Sequence, residues 1–197
     1  KAESGDCNGA IDDFNKTIKL NPKNAIAYMN RGICKGSLGD EEGEMSDYNK
    51  SIEVYPNYEL SYYNRGNLKR KSGDYKGAIL DYTKVIEIDP QYSEAYTNRA
   101  VSKSNLEDYE GSISDYNQSI NINPSDTLNY VNRGKDKFLM GDVDGACFDW
   151  EKAFTLGDKS VSEFITPICK NNSSNQETDS KNSVYIQSAS NKIQDGD

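Results

Sequence analysis

The sequence has no histidine in its 197 residues. That removes the commonest general base and metal ligand. Four cysteines stand at 7, 34, 147 and 169, and none forms a Cys-x-x-Cys pair. The usual zinc spacing is therefore missing, and neither a metal nor a cofactor is expected. No run of 18 apolar residues exists, so no membrane-spanning helix is expected. Basic residues are in deficit: 23 Lys and Arg against 32 Asp and Glu give a net charge of -9. Nucleic-acid binding through phosphates needs basic patches, and this balance argues against it. Hydrophobic residues make up only 35%, which is thin for one central core.

What is present is repetition. "YMNRG" at 28–32 returns as "YYNRG" at 62–66, "YTNRA" at 96–100 and "YVNRG" at 130–134. Arg31, Arg65, Arg99 and Arg133 are spaced by 34 residues. Pro22, Pro56, Pro90 and Pro124 keep the same interval. So do Asp13, Asp47, Asp81, Asp115 and Asp149, each followed by an aromatic residue. Independent slots sharing one period indicate stacked repeats. In such an array each unit buries one face against its neighbours, so modest hydrophobic content suffices.

One period, residues 59–92, shows the local logic. Apolar and aromatic residues recur at helical spacing from Glu59 to Ser72. Gly73 follows where a left-handed C-terminal cap favours glycine, and Asp74 where an N-cap needs a side-chain acceptor. A second helix is expected from Tyr75 to Asp89, ended by Pro90. The cap pair recurs as Gly5-Asp6, Gly39-Asp40 and Gly141-Asp142, while Glu107-Asp108 predicts a weaker helix end. So short a turn predicts antiparallel helices. Gly32, Gly66, Ala100 and Gly134 are expected to face the small slots Ala78, Ser112 and Ala146. Glu44 breaks that slot and is expected to snorkel outward or strain the contact.

The 34-residue period with aligned Gly, aromatic, Ala and Pro slots resembles the tetratricopeptide repeat, in particular the bacterial type rich in "NRG". The resemblance covers roughly residues 1–157. It implies an all-α fold, a right-handed superhelical solenoid of antiparallel helix pairs. Expected units are 25–58, 59–92, 93–126 and 127–158, preceded by a partial unit over 1–24. A capping helix is expected over 159–170, broken near Pro167, and a disordered polar tail over 171–197. Its short "VYIQ" is a segment able to dock.

The resemblance also implies a concave groove lined by the first helix of each unit. Asn30, Asn64, Asn98 and Asn132 would form a row along it, with Tyr63, Asn67 and Val101 beside them. An Asn amide pairs with a peptide N–H and C=O at once, so the row implies backbone recognition of a peptide. The other reading makes Asn a signature of the repeat, bonded to a neighbouring helix. The slots of a chaperone-type clamp hold Met29, Ile33 and Glu94 instead of basic residues. Arg70, Lys71 and Lys135 supply a basic area that suits an extended segment with apolar and acidic residues. The arginines point elsewhere. Arg31, Arg65, Arg99 and Arg133 are expected to pair with Asp47, Asp81, Asp115 and Asp149, within a unit or between two. The alternative is an arginine row that binds anions.

Every glycine serves a cap or a helix contact, so no phosphate-cradling loop remains, and an enzyme is not expected. The reading is a non-catalytic scaffold for a protein or peptide partner. The alternative is a structural arm of a larger protein, or self-association through the open face of the helix over 8–21. Cys7 and Cys34 read as packing residues. Cys147 and Cys169 fall opposite each other if the last helices fold back, and a bridge there would imply export to an oxidising compartment. Four reduced packing cysteines, with the cytoplasm favoured, is the other outcome.

Overall fold

The computed structural model describes residues 7–169, and all its regular structure is helical. The expected disordered tail over 171–197 and the cap pair Gly5-Asp6 lie outside the described residues. The order is α1 (Cys7–Leu20), α2 (Ala25–Ser37), α3 (Glu41–Val54), α4 (Glu59–Lys71) and α5 (Tyr75–Ile88). Then come α6 (Ser93–Ser104), α7 (Tyr109–Ile122), α8 (Thr127–Leu139), α9 (Val143–Thr155), a short α10 (Ser162–Phe164) and a π-helical turn over Ile165–Cys169. The chain divides into two compact units, Lys1–Ser102 and Lys103–Asp197.

The turns explain the helix bounds. Asp40, Asp74, Asp108 and Asp142 each cap a helix by accepting the N–H of the residue three positions on. Such a cap satisfies a donor that the helix leaves unpaired. Gly39, Gly73 and Gly141 close the preceding helix with φ of +85°, +81° and +86°. Glu107 takes the same role at φ +62°, a conformation that costs a side chain about 1–2 kcal/mol. The helix before it, α6, ends at Ser104.

Within each unit consecutive helices run antiparallel. The Lys35 ammonium reaches the Gly43 carbonyl near the turn, Arg31 meets Asp47 further along, and Ser51 donates to the Ala25 carbonyl at the far end. The core is built from the aromatic slot: Tyr48, Tyr82, Tyr116 and Trp150 are almost fully buried. Ala78, Ser112 and Ala146 are wholly buried beside them.

Three expectations change. The helix glycines face the aromatic slot, not the small one: a Cβ on Gly66 would lie 2.8 Å from the Tyr82 ring, and one on Gly134 2.6 Å from the Trp150 indole nitrogen. A tyrosine ring needs that missing Cβ to lie flat against the opposite helix. Glu44 neither leaves the interface nor sits unpaired, since it accepts a hydrogen bond from the Tyr48 hydroxyl at 2.8 Å. The chain after α9 is not one helix broken at Pro167. It is a short helix followed by a π-helical turn that carries Pro167 within it. There Cys147 and Cys169 form a disulfide with Cα atoms 5.6 Å apart, while Cys7 and Cys34 are free.

Candidate functional site

The four-residue phrase divides its labour. Each arginine lies over the tyrosine three positions before it, at 5.4–5.6 Å from ring centroid to guanidinium. Arg31, Arg65 and Arg133 then donate twice to Asp47, Asp81 and Asp149 on the second helix of the same pair, at 2.5–2.9 Å. Their remaining Nη1 reaches back to Asn15, Asn49 or Asn117 on the preceding helix. The carboxylate contact is thus within a pair and the amide contact between pairs. Lys35, Lys69 and Lys137 add a second cation to each carboxylate at 2.8–2.9 Å, and Lys103 pairs with Asp115 at 2.8 Å. Arg99 donates to the Thr83 hydroxyl, 3.0 Å away. The arginines are committed to packing, so they offer no anion-binding row.

The asparagines behave differently from one another. In the first compact unit a cavity of about 680 Å³ is lined by Ile33, Glu44, Tyr48, Tyr63, Asn64, Asn67, Arg70, Lys71 and Asn98. Asn98 donates to the Tyr63 hydroxyl at 3.0 Å and to Asn67 at 3.1 Å, and Tyr82 donates to Asn67 at 2.7 Å. This polar network joins α4, α5 and α6. The Asn64 side chain makes no hydrogen bond among the described residues, and neither does that of Asn30. The Arg70 Nε is buried and also lacks a partner among them. Lys71 holds Glu41 at 2.7 Å on the exposed rim.

Burial shapes the tyrosines here. It pushes the Tyr82 hydroxyl up to about 12, against the opposing pull of the neighbouring Arg70 guanidinium. Burial likewise raises Tyr63, and it raises Tyr48 with help from Glu44. All three therefore remain neutral hydrogen-bonding groups near neutrality. The Tyr63 ring packs against Tyr82 and Tyr92, with centroids 6.0 and 5.0 Å away.

Of the residues expected from sequence, Tyr63, Asn64, Asn67, Arg70, Lys71 and Asn98 come together at this cavity. Asn30 is half-buried on α2 and is not part of its lining. Val101 is half-buried on α6, while Asn132 and Lys135 belong to α8 in the second unit. Met29 is a core residue packed with Tyr48 and Leu68, not a groove residue. Sequence reasoning missed Glu44 and Tyr48 as cavity walls. The signal was present, because Glu44 alone breaks the small-residue slot. Among the described residues no helix is long and apolar enough to cross a membrane, and no cluster of three metal-ligating side chains occurs.

Three tetratricopeptide-repeat family profiles match residues 25–58, 60–92 and 81–113. The chain is a tetratricopeptide-repeat protein. Among curated proteins, no sequence matches it. Among solved structures, this repeat protein is similar to a crystal structure of MamA at 22% identity and a TM-score of 0.74. That match covers 80% of this chain and 92% of the other. MamA from Desulfovibrio magneticus RS-1 is similar at 19% identity and a TM-score of 0.71, over 77% of this chain and 86% of that one. These likenesses concern the fold. The first tetratricopeptide domain of Spaghetti (RPAP3), bound to the HSP90 peptide SRMEEVD, is similar at 29% identity with a TM-score of 0.56. That match covers 59% of this chain and 94% of the other.

Proposed function

We propose that this repeat protein is a non-catalytic interaction scaffold and that its first compact unit binds an extended peptide in the cavity beside Arg70. The observation that carries the reading is the buried Arg70 Nε without a partner, on the wall of an open, polar cavity. An unpaired buried donor costs about 1–3 kcal/mol, so a ligand acceptor there is favourable. The Asn64 side-chain amide, with no hydrogen bond among the described residues, offers a donor and an acceptor to a peptide backbone. Arg70 and Lys71 attract an acidic side chain, and Ile33 and the Tyr63 ring edge offer apolar contact. The peptide SRMEEVD held by the similar Spaghetti domain has this mixture of apolar and acidic residues. The helix pairs over 25–58, 59–92, 93–126 and 127–158 act as the repeat units, and the Arg–Asp pairs fix their packing. Asn98 and Asn67 brace the cavity rather than read the ligand. Val101, Asn30, Asn132 and Lys135 extend the contact surface of their own units. The Cys147–Cys169 bridge supports an oxidising compartment.

Calorimetric titration with an extended acidic peptide such as SRMEEVD tests the reading. Saturable one-site binding is expected, weakened at least about tenfold by Arg70→Ala or Asn64→Ala, which is about 1.4 kcal/mol. Equal affinity in the wild type and both variants overturns the site. Light scattering on the free chain addresses the alternative, since a concentration-dependent mass identifies a self-associating array.

A further inference from the structure

Cys7 and Cys34 are 27 positions apart, and the repeat makes that interval meaningful. Cys7 opens α1 in the slot that Glu41, Tyr75 and Tyr109 occupy at the starts of α3, α5 and α7. Cys34 occupies the slot of Leu68, Ser102 and Asp136, all buried. The later repeats bring these slots together. Glu41 and Leu68 line one cavity, and Tyr109 lies within the field of the Asp136 carboxylate. The same register places the Cys34 thiol beside the Cys7 thiol. Cys34 is 5% exposed and Cys7 is half-buried.

We infer that Cys7 and Cys34 form a redox site, a dithiol that reacts with a small-molecule disulfide such as oxidised glutathione and closes into a bridge between α1 and α2. The more accessible Cys7 loses its proton to solvent and attacks one sulfur of the reagent. The reagent S–S bond breaks, and its first half leaves as a thiolate that takes up a proton. Cys34 then loses its proton and attacks the Cys7 sulfur, and the second half leaves as a thiol. Two electrons pass from the two cysteines to the reagent, which ends as two thiols. Burial, with Cys7 close by, pushes the Cys34 thiol up to about 11, so Cys34 rests protonated near neutrality and the first attack falls to Cys7. The bridge anchors α1 to the helix whose Ile33 and Gly36 border the cavity.

The test incubates the full chain with oxidised glutathione and maps its peptides by mass spectrometry after alkylation without reduction. A linked peptide joining Cys7 to Cys34, lost on adding dithiothreitol, is expected. Cys34→Ser is the companion variant. It should fold, because Ser102 is wholly buried in the equivalent slot. It should accumulate a stable glutathione adduct on Cys7 that the wild type does not retain. Separate alkylation of Cys7 and Cys34 after incubation, or a lasting adduct on wild-type Cys7, overturns the inference.

Discussion

At the scale of single residues, the buried carboxylates carry the sharpest consequences. Asp81 is 3% exposed and accepts from Arg65 and Lys69. Asp81→Ala leaves both cations half-buried and unpaired. A loss of about 3–5 kcal/mol is expected from urea unfolding, because removing one member of a buried pair strands the other. Asp136 is a different case. Its slot holds Leu68 and Cys34 in earlier repeats, yet it is 1% exposed, with the hydroxyls of Ser112 and Ser104 donating at 2.6 and 2.7 Å. Burial raises its carboxyl above the ordinary 3.8, while the two serines and Lys135 pull it back. Between the ordinary and the raised value the folded chain holds more protons at this site than the unfolded chain. Stability from Asp136 is therefore present at low pH and lost as pH rises through the raised value. Asp136→Asn removes that loss. Its stability change between about pH 4 and about pH 7 should be less unfavourable than that of the wild type, read from urea midpoints. An identical change in both chains refutes the buried charge. The pairing of Arg31, Arg65 and Arg133 with Asp47, Asp81 and Asp149 was legible because both partners obey the period. Asp136 was not, since a carboxylate in a buried slot that holds Cys34, Leu68 and Ser102 elsewhere is recognised only once its two serine donors are placed.

At the scale of elements, helix ends were legible and helix contacts less so. Gly-Asp at each turn named both the C-terminal and N-terminal caps, because each demands a particular backbone or acceptor. The odd turn, Glu107-Asp108, shows what the missing glycine does: Glu107 adopts a left-handed φ, and Asp108 still caps α7 through Gly111. Glu107→Gly relieves that conformation and should stabilise by about 1 kcal/mol in thermal or urea unfolding. Gly73→Ala imposes the converse cost, about 1 kcal/mol, where φ is +81°. Which small residue faces which ring was misjudged. Spacing reports that Gly66 and Ala78 are both interior, but not that the Tyr82 ring reaches across to the glycine first. The cavity shared this ambiguity. The period aligned Asn64 with Asn98, yet only side-chain geometry separates Asn64 from Asn98, which is spent on Tyr63 and Asn67.

At the scale of the whole molecule, a repeat array depends on its ends. An interior pair is covered on both sides, whereas a terminal pair must cover its apolar face by another route. In the second compact unit that cover is the segment after α9. Val161 and Cys169 join Tyr130, Phe138, Trp150 and Ala153 in one buried cluster, with Ile165 and Ile168 packed against it. The sequence contained the two cysteines and their opposed placement, but nothing in it decided between a bridge and two packing thiols. The bond spans 22 residues, a loop whose closure contributes about 3 kcal/mol in the chain-entropy model. Two observations on one preparation test it. Peptide mapping of the unreduced chain should recover Cys147 and Cys169 in a single linked species. Mild reduction should then lower the unfolding free energy of the second unit by about 3 kcal/mol. Fluorescence of Trp150, the sole tryptophan, is the readout, because it sits in the cluster the segment covers. Separate alkylated peptides for Cys147 and Cys169 refute the bridge. An unchanged Trp150 transition after reduction shows that the apolar contacts of Val161, Ile165 and Ile168 hold the cap without it.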